Sequence, residues 1–350
     1  MNFKNSLCVS MSLWFIILLS GCQSTPQSQN RVVLYCSVDD VYARPIIAEL
    51  EKKTGLQIEA LYDVEAAKTA GLANRIRGEK SRPRGDVFWS SALLQTLLLQ
   101  REGLLQEYSS PSAKDIPAEF KDKKGAWTGM GVRSRVIMSN SQQKTQNKIG
   151  VSAEDLLEPQ FKNKIGISNP QFGTASDWVA TLTVRWGKEK TLNYFRDLKK
   201  NGVHVLAGNG VVAEKVANGE LLAGVTDSDD YSTFAKKSKI ENRFILNANG
   251  FEDGVSTIKI PGSVAILKSA PHSANAKKLV DAIVSLEIEK MLVKKMPGVL
   301  PTRRFPLDGE QKYDSEILFV PDSENPTDTA KWANAWLSIR EPLFEILLTP

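Results

Sequence analysis

The sequence predicts an α/β protein of two lobes, each built on a mainly parallel sheet with flanking helices. The chain has 350 residues, enough for two lobes of about 100–200 residues each. Short apolar runs alternate with segments of helical periodicity, and this series occurs twice along the chain. Alternating strands and helices favour parallel sheets, because consecutive parallel strands need a long crossover connection.

The first series begins with the apolar run 32–36, which is typical of a strand covered on both faces. The next predicted elements are a helix that Asp39 or Asp40 can cap and Gly55 ends, a strand over 56–61, a helix over 65–79 and a strand over 86–89. Ligands in such folds bind beyond the carboxyl ends of the strands. We therefore expect the loops that begin at Ser37, Tyr62 and Ser90 to face a ligand.

The second series begins near residue 133. Its predicted elements are strands over 133–140, 164–168, 203–206, 221–225 and 256–267, and helices over 174–187, 192–200 and 274–295. The chain is expected to cross between the lobes more than once. We assign 31–130 and 262–350 to lobe 1, and 131–261 to lobe 2.

The N-terminus predicts export and a lipid anchor. Lys4 precedes an apolar run at 11–19, which is shorter than the about 20 residues of a membrane span. Leu19-Ser20-Gly21-Cys22 has the pattern of a bacterial lipobox. This predicts a lipoprotein signal peptide over 1–21, acylation of Cys22, for example with palmitate, and a polar tether over 22–30. The expected location is the periplasm or cell envelope; an ordinary signal peptide that ends near a cysteine is the alternative.

Composition excludes several classes of function. The net charge is +5, with 45 basic and 40 acidic residues scattered along the chain, which gives no indication of nucleic-acid binding. His204 and His272 are the only histidines, which argues against histidine metal sites and histidine-based catalysis. The sequence contains no G-x-S-x-G, H-E-x-x-H, C-x-x-C or P-loop motif, so we expect a protein that is not an enzyme and predict no catalytic residue. Cys36 is interpreted as a buried apolar residue, with a reactive thiol as the alternative.

Four segments together resemble the solute-binding proteins of bacterial ABC importers, in the ferric-iron-binding group. They are Leu34-Tyr35-Cys36-Ser37-Val38-Asp39, Asp86-Val87-Phe88-Trp89, Asn169-Pro170-Gln171-Phe172-Gly173-Thr174, and Gly219-Glu220 with 224–230. The resemblance runs from about Arg31 to Lys295 and is less clear beyond Pro306. It implies a type II periplasmic-binding-protein fold with a hinge of crossover strands. It also implies a monomer that captures a small solute or metal ion and delivers it to an ABC permease and its ATPase.

The resemblance implies ferric iron as the transported ligand, with a synergistic anion as a possible companion. The family's ligands are a histidine, a glutamate and two adjacent tyrosines, and none of the four is retained. The histidine falls at Asp39, the glutamate near Ser91 and the tyrosine pair at Asp229 and Asp230, with Tyr231 one place late. We predict Asp39, Asp229 and Asp230 as metal ligands, because carboxylates supply the oxygen atoms that hard cations prefer.

The loops that hold the anion in the family match Gly173, Thr174 and Asn209. With these, the predicted ligand-binding set contains Ser37, Asp39, Ser91, Asp227 and Tyr231. Purely structural roles remain open for several of these residues. Thr174 and Asp177 fit a capping box, Asp227 could cap a helix, and acids in a first helical turn complement the helix dipole.

Two other functions remain open. One is binding of an anionic organic solute, such as a phosphonate or sugar phosphate, at Gly173, Thr174 and two arginines. These are Arg133 and Arg135, which share one face of a strand and could form an anion clamp, although surface positions are the simpler interpretation. The other is a cell-envelope enzyme on the same scaffold. Five tryptophans, Trp127, Trp178, Trp186, Trp332 and Trp336, are interpreted as packing residues.

Overall fold

The computed structural model describes residues 30–63, 69–140, 153–235, 242–245, 258–305 and 329–348. The predicted signal peptide, Cys22 and all but the last residue of the tether lie outside this part of the chain. Within it, none of the helices combines the length and apolar character that a bilayer span requires.

The first part of the chain, up to the long central strand, alternates strands and helices as predicted. Its elements are β1 (Arg31–Cys36), α1 (Asp40–Thr54), β2 (Gln57–Tyr62), α2 (Ala70–Gly78), β3 (Val87–Ser90), α3 (Leu94–Arg101), β4 (Leu105–Gln106), two 3-10 turns (Pro111–Ala113 and Ala118–Phe120) and β5 (Thr128–Ser139).

The second part continues the alternation and ends in helices. Its elements are two 3-10 turns (Glu154–Leu157 and Pro159–Phe161), β6 (Ile165–Ser168), α4 (Gly173–Trp186), α5 (Lys188–Lys200), β7 (His204–Leu206), α6 (Asn209–Ala217), β8 (Ala223–Asp227), α7 (Ser228–Ala235), β9 (Asn242–Ile245), β10 (Lys259–Leu267), α8 (Ser273–Ile283), α9 (Leu286–Lys295) and α10 (Thr329–Leu348).

The strands form one sheet with two parallel parts joined by long antiparallel strands. The order is β2-β1-β3-β10-β5-β8-β6-β7, with β4 beside β10 and β9 beside β5. Strand β1 pairs in parallel with β2 and β3, and β6 with β7 and β8. Strands β10 and β5 run antiparallel to each other, with a bulge between Pro261 and Ser263. We call the β2-β1-β3 side the first half and the β8-β6-β7 side the second half. The predicted α/β class is confirmed.

Each half has its own apolar core. In the first half, β1 and β3 pack against α1, α8 and α9. The core of the second half surrounds Trp178, which is fully buried and makes an edge contact with Phe195 at 5.4 Å between ring centres. Trp127 is also buried, and Trp186 is half-buried against Tyr194. These tryptophans are packing residues, as predicted.

The C-terminal helix α10 contacts helices of both halves. It packs mainly on α4 and α5, and Trp336 and Ile339 lie in the same apolar cluster as Trp178. Trp332, one turn earlier, is buried in a cluster with Leu97 of α3. The lobe assignment of 262–350 stays a prediction, and α10 contacts the second half more extensively than the first.

Two predicted helices differ from the observed ones. The helix expected over 274–295 is interrupted, because Ser285 caps a new helix and accepts a hydrogen bond from the amide of Ile288 at 3.4 Å. The helix expected over 65–79 begins at Ala70, and residues 64–68 lie outside the described part of the chain.

Candidate functional site

A polar cleft lies where the two halves of the sheet meet. Its empty volume is about 340 Å³, open solvent included, and its lining residues are Asp39, Ser91, Arg133, Gly173, Thr174, Asn209, Gly210, Asp227, Asp229 and Asp230. Most follow the carboxyl ends of the parallel strands β1, β3, β6, β7 and β8. The cleft therefore lies at the edge of the sheet where α/β folds bind their ligands.

Three helices of the second half begin at the cleft. Helices α4, α6 and α7 start at Gly173, Asn209 and Ser228. The first-turn amides of a helix have no partners within that helix, and they carry the positive end of its dipole. The residues before α4 and α6, Phe172 and Gly208, have no side-chain acceptor for these amides. The second wall of the cleft therefore presents N–H donors to an anion.

One of these donors is already used. The amide of Gly173 donates to the hydroxyl of Thr69 at 3.1 Å, across from the first half. An anion at α4 would therefore be held by the amides that follow Gly173, rather than by Gly173 itself.

The floor of the cleft is a buried network around Asp227. Its Oδ1 accepts from Arg135 at 2.7 Å, and its Oδ2 accepts from the Thr174 hydroxyl at 2.5 Å and the Asn209 amide at 2.9 Å. Arg135 also donates to the side-chain oxygens of Thr174 and Asn209. Both carboxylate oxygens of Asp227 thus accept hydrogen bonds, so this residue holds the floor of the cleft together.

Arg133 joins the two walls. Its Nε donates to Oδ2 of Asp229 at 2.8 Å, and its NH1 donates to the backbone oxygen of Ser91 at 2.8 Å. Burial alone would lower the pKa of Arg133, but the carboxylates of Asp229, Asp227 and Asp39 outweigh it and raise that pKa. The guanidinium therefore stays charged between the walls.

The other oxygen of Asp229 has a different environment. Asp229 is 6% exposed, and its buried Oδ1 has no hydrogen-bond partner among the residues that the structure describes. Burial raises the pKa of this carboxyl above its ordinary value, although Arg133 opposes the shift. A ligand group that brings positive charge would satisfy this oxygen.

Asp229 belongs to a group of three carboxylates. Ligand atoms of Asp227, Asp229 and Asp230 lie within 4.8 Å of one another, and Asp39 lines the same cleft. Two of the three predicted metal ligands, Asp229 and Asp230, belong to this group, whereas the third, Asp39, lines the cleft outside it.

The cleft gathers most of the predicted site residues. Ser37 and Tyr231 are not among the lining residues. The hydroxyl of Ser37 accepts a hydrogen bond from the amide of Ser91 at 2.9 Å. Ser37 therefore helps to hold the lining residue Ser91 in place. Tyr231 packs against the apolar cluster that contains Met138 and Val216. The predicted lipid site, Cys22, lies outside the described residues.

Two interpretations of the sequence are wrong. The capping box of Thr174 and Asp177 does not form, since Thr174 bonds Asp227 and Asp177 accepts from the amides of Leu93 and Leu94. Arg133 and Arg135 are buried rather than on the surface, because each pairs with an aspartate of the second half. Their i, i+2 spacing on a strand was the signal that could identify them.

The fold and the cleft together define a type II periplasmic binding protein. The model of the family described as bacterial extracellular solute-binding protein matches residues 87–321, and the chain belongs to that family. The major ferric iron-binding protein of Neisseria meningitidis serogroup A is 24% identical over 287 residues, 80% of this chain and 84% of the relative.

Solved structures show the same fold. Iron-bound HitA from Pseudomonas aeruginosa superimposes with a TM-score of 0.77 at 21% identity, covering 91% of this chain and 99% of that one. AfuA from Actinobacillus pleuropneumoniae, with fructose-6-phosphate bound, has a TM-score of 0.74 at 25% identity, covering 88% and 98%.

Proposed function

We propose that this protein is the extracytoplasmic solute-binding component of an ABC importer and captures ferric iron together with a small anion. The observation that carries the proposal is the buried Oδ1 of Asp229, a residue that lines the cleft together with Asp230 and Asp39. An unsatisfied buried carboxylate oxygen is costly, and a hard cation would offset that cost. The ferric iron named for the relative from Neisseria and the iron bound to HitA support this choice.

The rest of the cleft suits the anion. The first turns of α4 and α6 present amide donors at Thr174 and Gly210, and Arg133 adds a positive charge between the walls. A small oxyanion held there could complete the coordination that three carboxylates leave open. The cleft therefore offers a subsite for a cation next to a subsite for an anion.

Capture requires movement of the two halves rather than chemistry. Residues 31–130 with 262–305 would form one lobe, and 131–261 with α10 the other. The long strands β5 and β10 connect the two halves, so a hinge there would let the cleft open and close around the solute. The closed form would then be presented to the permease and its ATPase.

The lipobox carries a separate part of the proposal, anchoring to the membrane through Cys22. Replacing Cys22 with Ser removes the thiol that takes the lipid, so the precursor should remain unacylated and partition differently. Membrane fractionation with intact-mass measurement tests this. Unchanged partitioning and mass would contradict lipid anchoring and leave the solute assignment untouched.

The metal assignment is tested by the double variant Asp229→Asn with Asp230→Asn, which removes two charges with little change of shape. If the ligand is ferric iron, affinity for ferric citrate should fall by orders of magnitude in calorimetry while circular dichroism stays unchanged. The matched control is Asp40→Asn, an exposed acid in the first turn of α1, which should not alter affinity. Unchanged iron affinity in the double variant would overturn the assignment.

The second candidate is an anionic organic solute, favoured by the helix N-termini and by the fructose-6-phosphate in AfuA. The same double variant separates the two candidates. Affinity for fructose-6-phosphate or a phosphonate should stay intact or improve when two repelling carboxylates are removed.

A further inference from the structure

A buried carboxylate behind the cleft joins two helices. Asp177 lies on α4, one turn after Gly173, and is fully buried. Its Oδ1 accepts hydrogen bonds from the amides of Leu93 at 3.2 Å and Leu94 at 2.9 Å, at the start of α3. Leu93 has no side-chain acceptor to cap α3. Asp177, which lies on α4, thus provides the side-chain acceptor that an N-cap residue usually provides for the first amides of a helix.

These bonds connect the opposite walls of the cleft. Helix α3 begins just after Ser91, which lines the first wall, and α4 begins at Gly173, which lines the second. A further bond, from the amide of Gly173 to Thr69, holds the same turn of α4 to the first half. Thr69 has φ of 64°, a left-handed conformation that is unfavourable for a β-branched residue.

We propose that Asp177 is a positioning residue: its ionised carboxylate fixes the spacing between the Ser91 and Thr174 walls, and its protonation loosens that hold. The part of this inference that concerns affinity rests on the proposed function. The part that concerns the α3–α4 connection does not.

The electrostatics around Asp177 support an ionisable connection. Burial raises the pKa of Asp177 to about 7, and the amides of Leu94 and Leu93 oppose the shift. The charged groups that act on it are Asp227 of β8, which raises the pKa, and Arg135 of β5, which lowers it. The groups of α3 that contact Asp177 are the backbone amides of Leu93 and Leu94. A carboxylate accepts from amides more strongly than a neutral acid does.

The other oxygen of Asp177, Oδ2, is buried and has no hydrogen-bond partner within the described residues. The effect on stability has a definite sign. Because the pKa in the folded state lies above that in the unfolded state, the stability contribution is complete below about pH 4 and is lost as pH rises towards about 7. The wild-type protein therefore keeps a charge here at the expense of stability.

The test compares Asp177→Asn, which keeps the shape and removes the charge, with the wild-type protein. In the wild-type protein, the amide NMR resonances of Leu93, Leu94 and Ser91 should titrate with a midpoint near pH 7; in the variant they should not. In urea unfolding, the variant should be more stable than wild type at about pH 8, and the two should converge in acid. Absence of the titration would overturn the proposal.

Affinity supplies the readout that a purely structural role would not give. The variant should bind ferric citrate about three- to tenfold more weakly than wild type at about pH 8, and equally at about pH 5.5. A matched control is Asp122→Asn, since Asp122 also accepts from two backbone amides, those of Lys124 and Ala126, but does not line the cleft. It should lose stability with unchanged affinity.

The outcomes separate this inference from the proposed function. If the wild-type protein does not bind ferric citrate, the iron proposal fails, and the amide titration alone decides the role of Asp177. An equal loss of affinity at both pH values in the variant would show general damage and overturn the positioning role.

Discussion

Arg135 and Asp227 are direct partners on the adjacent strands β5 and β8, and their side chains form a buried ion pair with an N–O distance of 2.7 Å. The side chains are 0% and 4% exposed. The pair also satisfies Thr174 and Asn209, so one strand register fixes two loops of the cleft. Removing one partner of such a pair leaves an uncompensated buried charge.

Replacement of Arg135 with Met should therefore destabilise the protein by about 3–5 kcal/mol. Equilibrium unfolding in urea measures this loss. The control is Arg44→Met, which removes an exposed pair with Asp40 one helical turn away and should cost no more than about 0.5 kcal/mol. Similar losses in the two variants would contradict a structural role for the buried pair.

The sequence was sufficient to bring most of the site together. Asp39, Ser91 and Asp227 each end or follow a short apolar run, and the carboxyl ends of parallel strands share one edge of a sheet. The apolar runs and this rule together predict that the three residues lie in one cleft, even when the strand order is unknown. Gly55, which ends α1 in the left-handed conformation, was an equally local signal, whereas the N-cap residue Asp39 makes no side-chain capping bond.

The remaining features depend on contacts between residues far apart in the chain. Arg135 is buried because it pairs with a residue 92 positions away, and no local pattern specifies that register. Asp177 sits three residues after Thr174, as in a capping box, yet it caps α3 across the fold. Trp336 of α10 was predicted to be a packing residue, but no local pattern indicates that it packs in one cluster with Trp178 of α4.

Cys36 should be inert in the folded protein. Burial raises the pKa of its thiol to about 12, so almost no thiolate, the reactive form, exists near neutral pH. Iodoacetamide at about pH 8 should modify Cys36 slowly in the native protein and rapidly in denaturant, as measured by peptide mass spectrometry. Equal rates in the two conditions would show that the first strand opens readily.

Solute capture should make the molecule more compact. If β5 and β10 act as a hinge, small-angle scattering with saturating ferric citrate should give a smaller radius of gyration than without it. The double variant of Asp229 and Asp230 to Asn serves as the control, because it should not change its radius of gyration at the same concentration. Compaction in both proteins would indicate that citrate alone, rather than the cation, drives closure.

Gly298 should position the start of α7, which carries Asp229. The hydroxyl of Ser228 donates to the backbone oxygen of Gly298 at 2.6 Å. An added Cβ at Gly298 would lie 2.2 Å from the backbone oxygen of Ser228, and Gly298 has φ of 87°. Replacement with Ala should therefore lower the free energy of unfolding by about 1–3 kcal/mol through overpacking. The left-handed backbone should add a further loss of about 1–2 kcal/mol. The variant should also bind ferric citrate more weakly, because Asp229 is displaced. Gly103→Ala is the control, because it has φ of 70° but no atom within 4 Å of the added carbon; it should lose only the backbone contribution and keep its affinity. If urea unfolding and calorimetry give the same values for both variants, contact with Gly298 does not position α7.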